Sequence, residues 1–532
     1  MTNLFLRSFA ARFGADQRGN VAVMAAISIV PLSIASLGAV DLTRNVAAHV
    51  ELQDALDAAA LAAGRTGSSD ASTLQATGQR ILSQNLAGAS DFQVTSSSFA
   101  IGADGQVVAQ ATGVYQPLMS GQQKQISASA QVTRANSILE IAMVLDNTGS
   151  MADSLGSGGS KISLLRTAAS NFVTTMSTAS QQSSIANSIS IALVPFSNTV
   201  NVGSSYKTAT WIDQNGVSPI NNEIFTTRQG VTQTANRFTL FSNLGTSWAG
   251  CVESRQAPYD IQDTPPTGTT PATLFTPYFA PDEADSNANR SGSKPDNDYV
   301  KDPVKENGKT LDWWGQQGSI LKYTTSNKNV STLDSTLGPN SGCGLQALHR
   351  LTTDFSGLKA SINAMVAVGD TNIPMGLVWG WHTLSPNAPF ADGVPYLTAK
   401  HKKIVVLMTD GQNTMTANSN INDNSYYSGV GYVWQGRVLQ PDGTHLTSIN
   451  SSASTRTAAM DDRLSKLCTN MKASNVDIEI YAIGVGVTTA SRTLLQNCAT
   501  DKSHYFDVTT GTALNGTFQS IANQISQLHL SK

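Results

Sequence analysis

Between Asn20 and Val40 the chain carries 21 residues without one charged side chain. As a helix this stretch spans about 31 Å at about 1.5 Å per residue, which matches a bilayer hydrocarbon core of about 30 Å. No other stretch is long and apolar enough to span, so the sequence predicts a single transmembrane helix. Pro31 and Gly38 lie inside it, and both are tolerated in such helices. Arg7, Arg12 and Arg18 precede the run and Asp41 follows it. The positive-inside rule then places residues 1–18 in the cytoplasm and everything after Asp41 on the other side. A cleaved signal peptide is the competing reading, but its apolar core usually has about 7–15 residues. A buried soluble helix is the other, and it would rarely follow a basic leader so closely.

Composition agrees with an extracytoplasmic chain. Charged residues make up 13%, against about 25% in ordinary soluble domains. Ser, Thr, Asn, Gln, Gly and Ala fill the gap. With a net charge of −3 there is no basic surface to point to nucleic acid. The four cysteines, Cys251, Cys343, Cys468 and Cys498, are even in number and form no C-x-x-C pair. That argues against a zinc or redox motif and for two disulfides in an oxidising compartment, with four buried thiols as the alternative.

Beyond the apolar run, Leu52, Leu56, Ala59, Ala60 and Ala63 repeat at helical spacing while Glu51, Asp54 and Asp57 take other faces. The spacing predicts that the transmembrane helix continues outward and stops near Gly64. A transmembrane helix running into such an Ala-rich helix resembles the N-terminal spine of pilin-like proteins; the other reading of the stripe is packing on the protein's own domain. A helical stretch follows near Ile81 and Leu82. From Phe92 to Ala135, Val94, Val107, Val108, Val114, Ile126 and Val132 lie among Ser, Thr and Gln, with a turn signal at Ala103-Asp104-Gly105. A small strand-rich module is expected there.

Three segments resemble the TadE/TadG-like family of Flp (tight-adherence) pilus assembly. They are Arg18-Gly19-Asn20-Val21-Ala22-Val23, the closing Gly38-Ala39-Val40-Asp41, and Leu52 to Ala63. Processed pilin-like members often carry a Glu five residues into the apolar segment; counted from Asn20, Met24 stands there. The resemblance therefore implies the uncleaved, TadG-type arrangement.

Leu139 to Leu145 is an apolar run of strand length, broken by Glu140 and ending in Asp146-Asn147-Thr148-Gly149-Ser150. Such a loop offers one carboxylate and two hydroxyls from the end of a strand, an oxygen set suited to a hard divalent cation. A helix with Ile162, Leu165, Ala169, Phe172, Val173 and Met176 on one face should follow. Further strands are expected at Ser190–Phe196, Lys403–Met408 and Val476–Val485. Helices are expected at Ile373–Thr383 and along Leu514, Phe518, Ile521, Ile525 and Leu528. Strands alternating with helices predict an α/β fold with a doubly wound, mostly parallel sheet, whose sites sit at strand C-termini.

The set resembles the von Willebrand factor A (VWA) domain and its metal-ion-dependent adhesion site. The family pattern of Asp-x-Ser-x-Ser, a Thr and an Asp falls on Asp146, Thr148, Ser150, Thr371 and Asp410, with Thr148 replacing the commoner Ser. The resemblance implies one divalent cation, Mg²⁺ first with Mn²⁺ or Ca²⁺ also fitting, and an open coordination position filled by an acidic side chain of a protein partner. Asp370, beside Thr371, is either a rim residue or the N-terminal carboxylate of the next helix. Leu494 to Ala499, Tyr505-Phe506-Asp507 and Trp379-Gly380-Trp381 also resemble TadG-type proteins.

The expected organisation is a cytoplasmic N-terminus at 1–18, a membrane and amphipathic helix at 19–64, a spacer at 65–136 and a VWA domain at 137–532. The last carries insertions at about 200–341 and 414–454. Cys251 and Cys343 lie at or near the ends of the first, and Cys468 and Cys498 flank the strand at Val476. Residues Gln262 to Asp312 read as an irregular loop. Trp211, Trp248, Trp313, Trp314, Tyr426, Tyr427, Tyr432 and Trp434 either form the core of an inserted subdomain or present a binding surface over the metal. No H-E-x-x-H or G-x-S-x-G motif is present. A binding and assembly component of the inner membrane, facing the periplasm or reaching the cell surface, is the leading expectation. A purely structural envelope scaffold is the second reading, and a hydrolase hidden in the first insertion is the third.

Overall fold

The computed structural model describes residues 18–530 apart from 67–69, 90–91, 103–105, 119–121, 133–136, 157–158, 184, 226–232, 286–293 and 449. Residues 1–17 and the expected turn at 103–105 therefore lie outside the described residues. The chain divides into two compact units. One comprises Met1–Ala135 with Gln182–Ser184 and Leu530–Lys532, the other Asn136–Gln181 with Ile185–His529.

The first unit is built on one long helix, α1 (Arg18–Arg65, 48 residues). At about 1.5 Å per residue its length is about 72 Å, more than twice a hydrocarbon core. Its two halves meet different surroundings. Ile27, Ile29, Val30, Leu32 and Ile34 are exposed, whereas Leu52, Leu56, Ala59, Ala60 and Ala63 are fully buried. Among the described residues this is the one helix long and apolar enough to cross a membrane. The buried half packs against α2 (Ala71–Asn85) and an antiparallel sheet of β1 (Phe92–Ile101), β2 (Val107–Tyr115) and β3 (Lys124–Val132). The small stripe residues let the sheet approach the helix, so the stripe packs within its own module. Asp70 caps α2 by accepting from Thr73 N at 2.8 Å. Asp41 accepts from Leu118 N at 2.7 Å, and Asn45 donates to the Tyr115 hydroxyl at 2.8 Å. The helix is thus engaged by its module from the first charged residue after the apolar run.

The second unit centres on a six-stranded sheet. Its strands are β4 (Ile138–Asp146), β5 (Ile189–Phe196), β6 (His349–Thr352), β7 (His401–Thr409), β8 (Ile478–Val485) and β9 (Tyr505–Val508). Their order is β6-β5-β4-β7-β8-β9, with only β6 antiparallel to its neighbour. Alternation sends successive side chains to opposite faces. Ile141, Met143 and Leu145 meet α3 (Lys161–Gln182), α4 (Phe355–Asn363) and α8 (Gly511–Leu530) on one face. Ala142 and Val144 meet α5 (Ile373–Leu384), α6 (Ala453–Met471) and α7 (Thr489–Cys498) on the other. Helix α5 is buried along its whole length and lies tight on the sheet. A Cβ on Gly380 would come within 2.4 Å of Val144 Cγ2, so glycine is what permits that approach. Glu140, the polar residue inside β4, is buried and ion-paired with Lys403 of β7, its register partner. The pair satisfies two charges that β4 and β7 would otherwise bury alone.

The insertions are packed rather than draped. Trp211, Trp248, Trp313, Tyr427 and Tyr432 are buried, and all but Trp313 belong to the core on the α5 face of the sheet. The two insertions meet in a buried charge network. Glu253 of the first pairs with Arg237 and, at 2.7 Å, with Arg437 of the second; the Tyr427 hydroxyl also donates to it. Burial pushes the Glu253 carboxyl up, but the two guanidinium groups outweigh it and hold it below the usual range. Disulfides link Cys251 to Cys343 and Cys468 to Cys498, closing separations of 92 and 30 residues. The first ties the middle of the first insertion to the chain just past its end, and the second joins α6 to α7. Removing Glu253 would strand the buried Arg237 cation and leave Arg437 with Glu223 alone, at 2.6 Å. Glu253→Ala is therefore expected to cost about 3–5 kcal/mol in urea unfolding. A loss under about 1 kcal/mol would show that solvent reaches the pair.

Candidate metal centre

Parallel pairing of β4 with β7, in which Leu145 faces Met408, brings Asp146 and Asp410 to the same sheet end. Three loops are knitted around them by backbone groups. Asn147 N donates to Phe196 O at 2.8 Å, at the end of β5. Asn147 O accepts from Val368 N at 2.6 Å, and its side chain donates to Val366 O at 3.0 Å. Gly149 N donates to Gly369 O at 2.8 Å. Thr371 and Thr414 exchange two bonds, Thr371 N to Thr414 Oγ1 and Thr414 N to Thr371 O, both at 2.8 Å. Each loop is thus fixed by its neighbour without help from the two carboxylates.

The carboxylates sit inside this cradle. Asp146 is fully buried; one oxygen accepts from Thr148 N at 2.8 Å and the other from Thr409 Oγ1 at 2.6 Å. The Thr148 and Ser150 hydroxyl oxygens are 3.2 Å apart. Ser150 Oγ donates to Asp410 Oδ1 at 2.8 Å across a separation of 260 residues, and Lys161 Nζ lies 2.7 Å from Asp410 Oδ2. A Cβ on Gly411 would lie 3.6 Å from Thr371 Oγ1, which places the Thr371 hydroxyl beside the Asp410–Gly411 loop. So Asp146, Thr148, Ser150 and Asp410 come together through shared bonds, and Thr371 stands next to them. The donors are all hard oxygens, two of them carboxylates, which is the set that Mg²⁺, Mn²⁺ or Ca²⁺ takes. Among the described residues no group of three or more His, Cys, Asp or Glu forms a metal cluster. Any cation here would depend on hydroxyls for its remaining protein ligands.

Asp370 lines a small recess with Asn198, Asn372, Thr414 and Tyr426. The cap of α5 is Asn372, which accepts from Met375 N at 3.1 Å, rather than Asp370. Sequence reasoning missed Thr409, Lys161 and Asn147. Thr409 directly precedes Asp410 and was legible as a hydroxyl at a strand end. Lys161 carries no signal in sequence, because only the tertiary structure brings the first residue of α3 to Asp410.

Residues 19–66 match the family of Flp pilus-assembly TadE/G-like proteins, so the N-terminal helix of this chain is a TadE/G-like segment. No curated protein matches the chain. Among solved structures the chain is similar to the PilB minor pilin from Streptococcus sanguinis, at 11% identity and a TM-score of 0.31, covering 82% of this chain and 78% of that one. It is similar to the vWF domain of the type V pili tip protein Mfa5 from Porphyromonas gingivalis, at 11% identity and a TM-score of 0.32, covering 73% and 95%. A third is proximal thread matrix protein 1 from the mussel byssus with a zinc-occupied MIDAS motif, at 11% identity and a TM-score of 0.27, covering 74% and 47%.

Burial first, and the Asp410 charge second, push the Asp146 carboxyl up to about 6. Its folded value lies above its unfolded value. The stability it contributes is therefore present in acid and is lost as pH rises through about 6. In chelator, Asp146→Asn is expected to unfold at higher urea than wild type near pH 8, by on the order of 3 kcal/mol. The gap should close in acid, below about pH 4, where both chains are neutral at this position. A variant no more stable than wild type at either pH would show that Asp146 carries no such burden.

Proposed function

We propose that this is a membrane-anchored, extracytoplasmic protein of a Flp-type pilus system that binds a protein partner through one divalent cation. In this reading the second unit is a VWA domain with a doubly wound sheet and two long insertions. Its cation is held by Asp146, Thr148, Ser150, Thr371 and Asp410, with Mg²⁺ the first choice. The partner is a pilus or envelope protein that presents an acidic side chain. Helix α1 anchors the chain in the inner membrane with the bulk in the periplasm, and the protein is not an enzyme. The TadE/G-like segment at 19–66 supports the pilus setting.

The observation that carries the metal reading is the Ser150–Asp410 bond, with Asp146 beside it. It gathers a strand-end loop and a residue 260 positions away into one oxygen-lined spot where strand order changes direction, since β5 lies on one side of β4 and β7 on the other. Such switch points are where open α/β sheets bind ligands. The scaffold reading keeps one specific observation in its favour. Lys161 already pairs with Asp410, so the loops are pinned without a metal.

Calorimetry on the chelator-stripped, detergent-solubilised full chain separates the two. Wild type should bind one Mg²⁺ or Mn²⁺ per chain, and a folded Asp146→Ala variant should bind none. A folded wild type that binds neither ion would leave the scaffold in front.

A further inference from the structure

The candidate metal centre contains a cation of its own. Lys161 is the first residue of α3, and its backbone N donates to Asp153 O at 2.9 Å. Its ammonium lies 2.7 Å from Asp410 Oδ2, while Ser150 occupies the other oxygen at 2.8 Å. The Lys161 side chain keeps 14% of its surface exposed and the Asp410 carboxylate none. The lysine therefore reaches into the site from its solvent edge. An ammonium on a flexible four-carbon stem can leave by rotating its own bonds.

Two carboxylates against one ammonium leave the site with one net negative charge. A divalent ion entering beside the lysine would meet a like charge within a few ångströms, already seated on one of its best oxygens. The two cations compete for Asp410 Oδ2. We propose that Lys161 is a tethered competitor of the divalent ion, which holds the three loops together in the metal-free protein and leaves Asp410 when the metal binds. The proposal rests on the metal reading above. It also gives the metal-free protein a closed, satisfied state, so loading depends on metal concentration rather than being constitutive. Once displaced, the ammonium stands at the rim, where an acidic partner group would approach.

The test uses the full chain in detergent, stripped with chelator, with Mn²⁺ as the probe. Calorimetry and thermal melting, each with and without saturating Mn²⁺, are run on wild type, Lys161→Gln, Lys161→Met, Lys161→Arg and Asp146→Ala. Removing a positive charge this close should tighten Mn²⁺ binding by about tenfold or more. The neutral variants should also melt below wild type without metal and recover when Mn²⁺ is added, because the lysine stabilises only the empty state. Lys161→Arg should behave like wild type, and Asp146→Ala should not bind. Neutral variants that bind Mn²⁺ no more tightly than wild type would overturn the competitor role and leave the metal site standing. A folded wild type and folded neutral variants that all fail to bind would remove the metal reading, and this inference with it. Neutral variants that fold only with Mn²⁺ support the proposal; variants unfolded under both conditions assign Lys161 a plain structural role and overturn it.

Discussion

Two carboxylates, Asp146 and Asp410, are set side by side by the parallel pairing of β4 with β7, and the end of the sheet is organised around the cost of burying them. A lone buried charge is expensive, and two of like sign are more so. The surrounding groups offset that cost in layers. Thr148 N and Thr409 donate to Asp146, while Ser150 and Lys161 serve Asp410. Even so, the Asp146 carboxyl is pushed well above its usual range.

The same physical rule, that buried polarity must be partnered, organises the rest of the second unit. Glu140 and Lys403 pair across adjacent strands, and Glu253 is held between two arginines that come from different insertions. The insertions are thereby locked to each other by charge and to the sheet by their aromatic side chains. Their bulk serves as a second core on the α5 face. In the first unit the partition is by solvent instead. Helix α1 exposes branched apolar side chains along its first half, as lipid would require, and buries the Leu52-to-Ala63 stripe along its second, as a packed sheet requires.

Much of this was legible in the residues. The charge-free run of bilayer length announced a helix long and apolar enough to cross a membrane. The period-3.6 stripe from Leu52 to Ala63 announced a buried helix face, though its occupant, the β1–β3 sheet, was one of two open readings. Each parallel strand of the central sheet between β4 and β8 showed as an apolar run, since burial on both faces removes alternation. The edge strands β6 and β9 did not. They are four residues each and only Val508 among them is fully buried, so composition does not set them apart from loop. Trp211 and its neighbours were ambiguous for a related reason, because aromatic side chains suit cores and binding surfaces alike.

The sequence by itself determined the long apolar helix, the alternation of strands and helices, and the oxygen donors at the ends of β4 and β7. These follow from local periodicity and residue chemistry, which act over a few neighbouring positions. Only the tertiary structure decided that Lys161 meets Asp410, that Thr409 serves Asp146, and that the two insertions share one charge network. Those contacts join residues far apart in the chain. Their energy comes from opposite charges, or a hydroxyl and a carboxylate, meeting closely enough to offset their desolvation, and that depends on where the backbone carries each group.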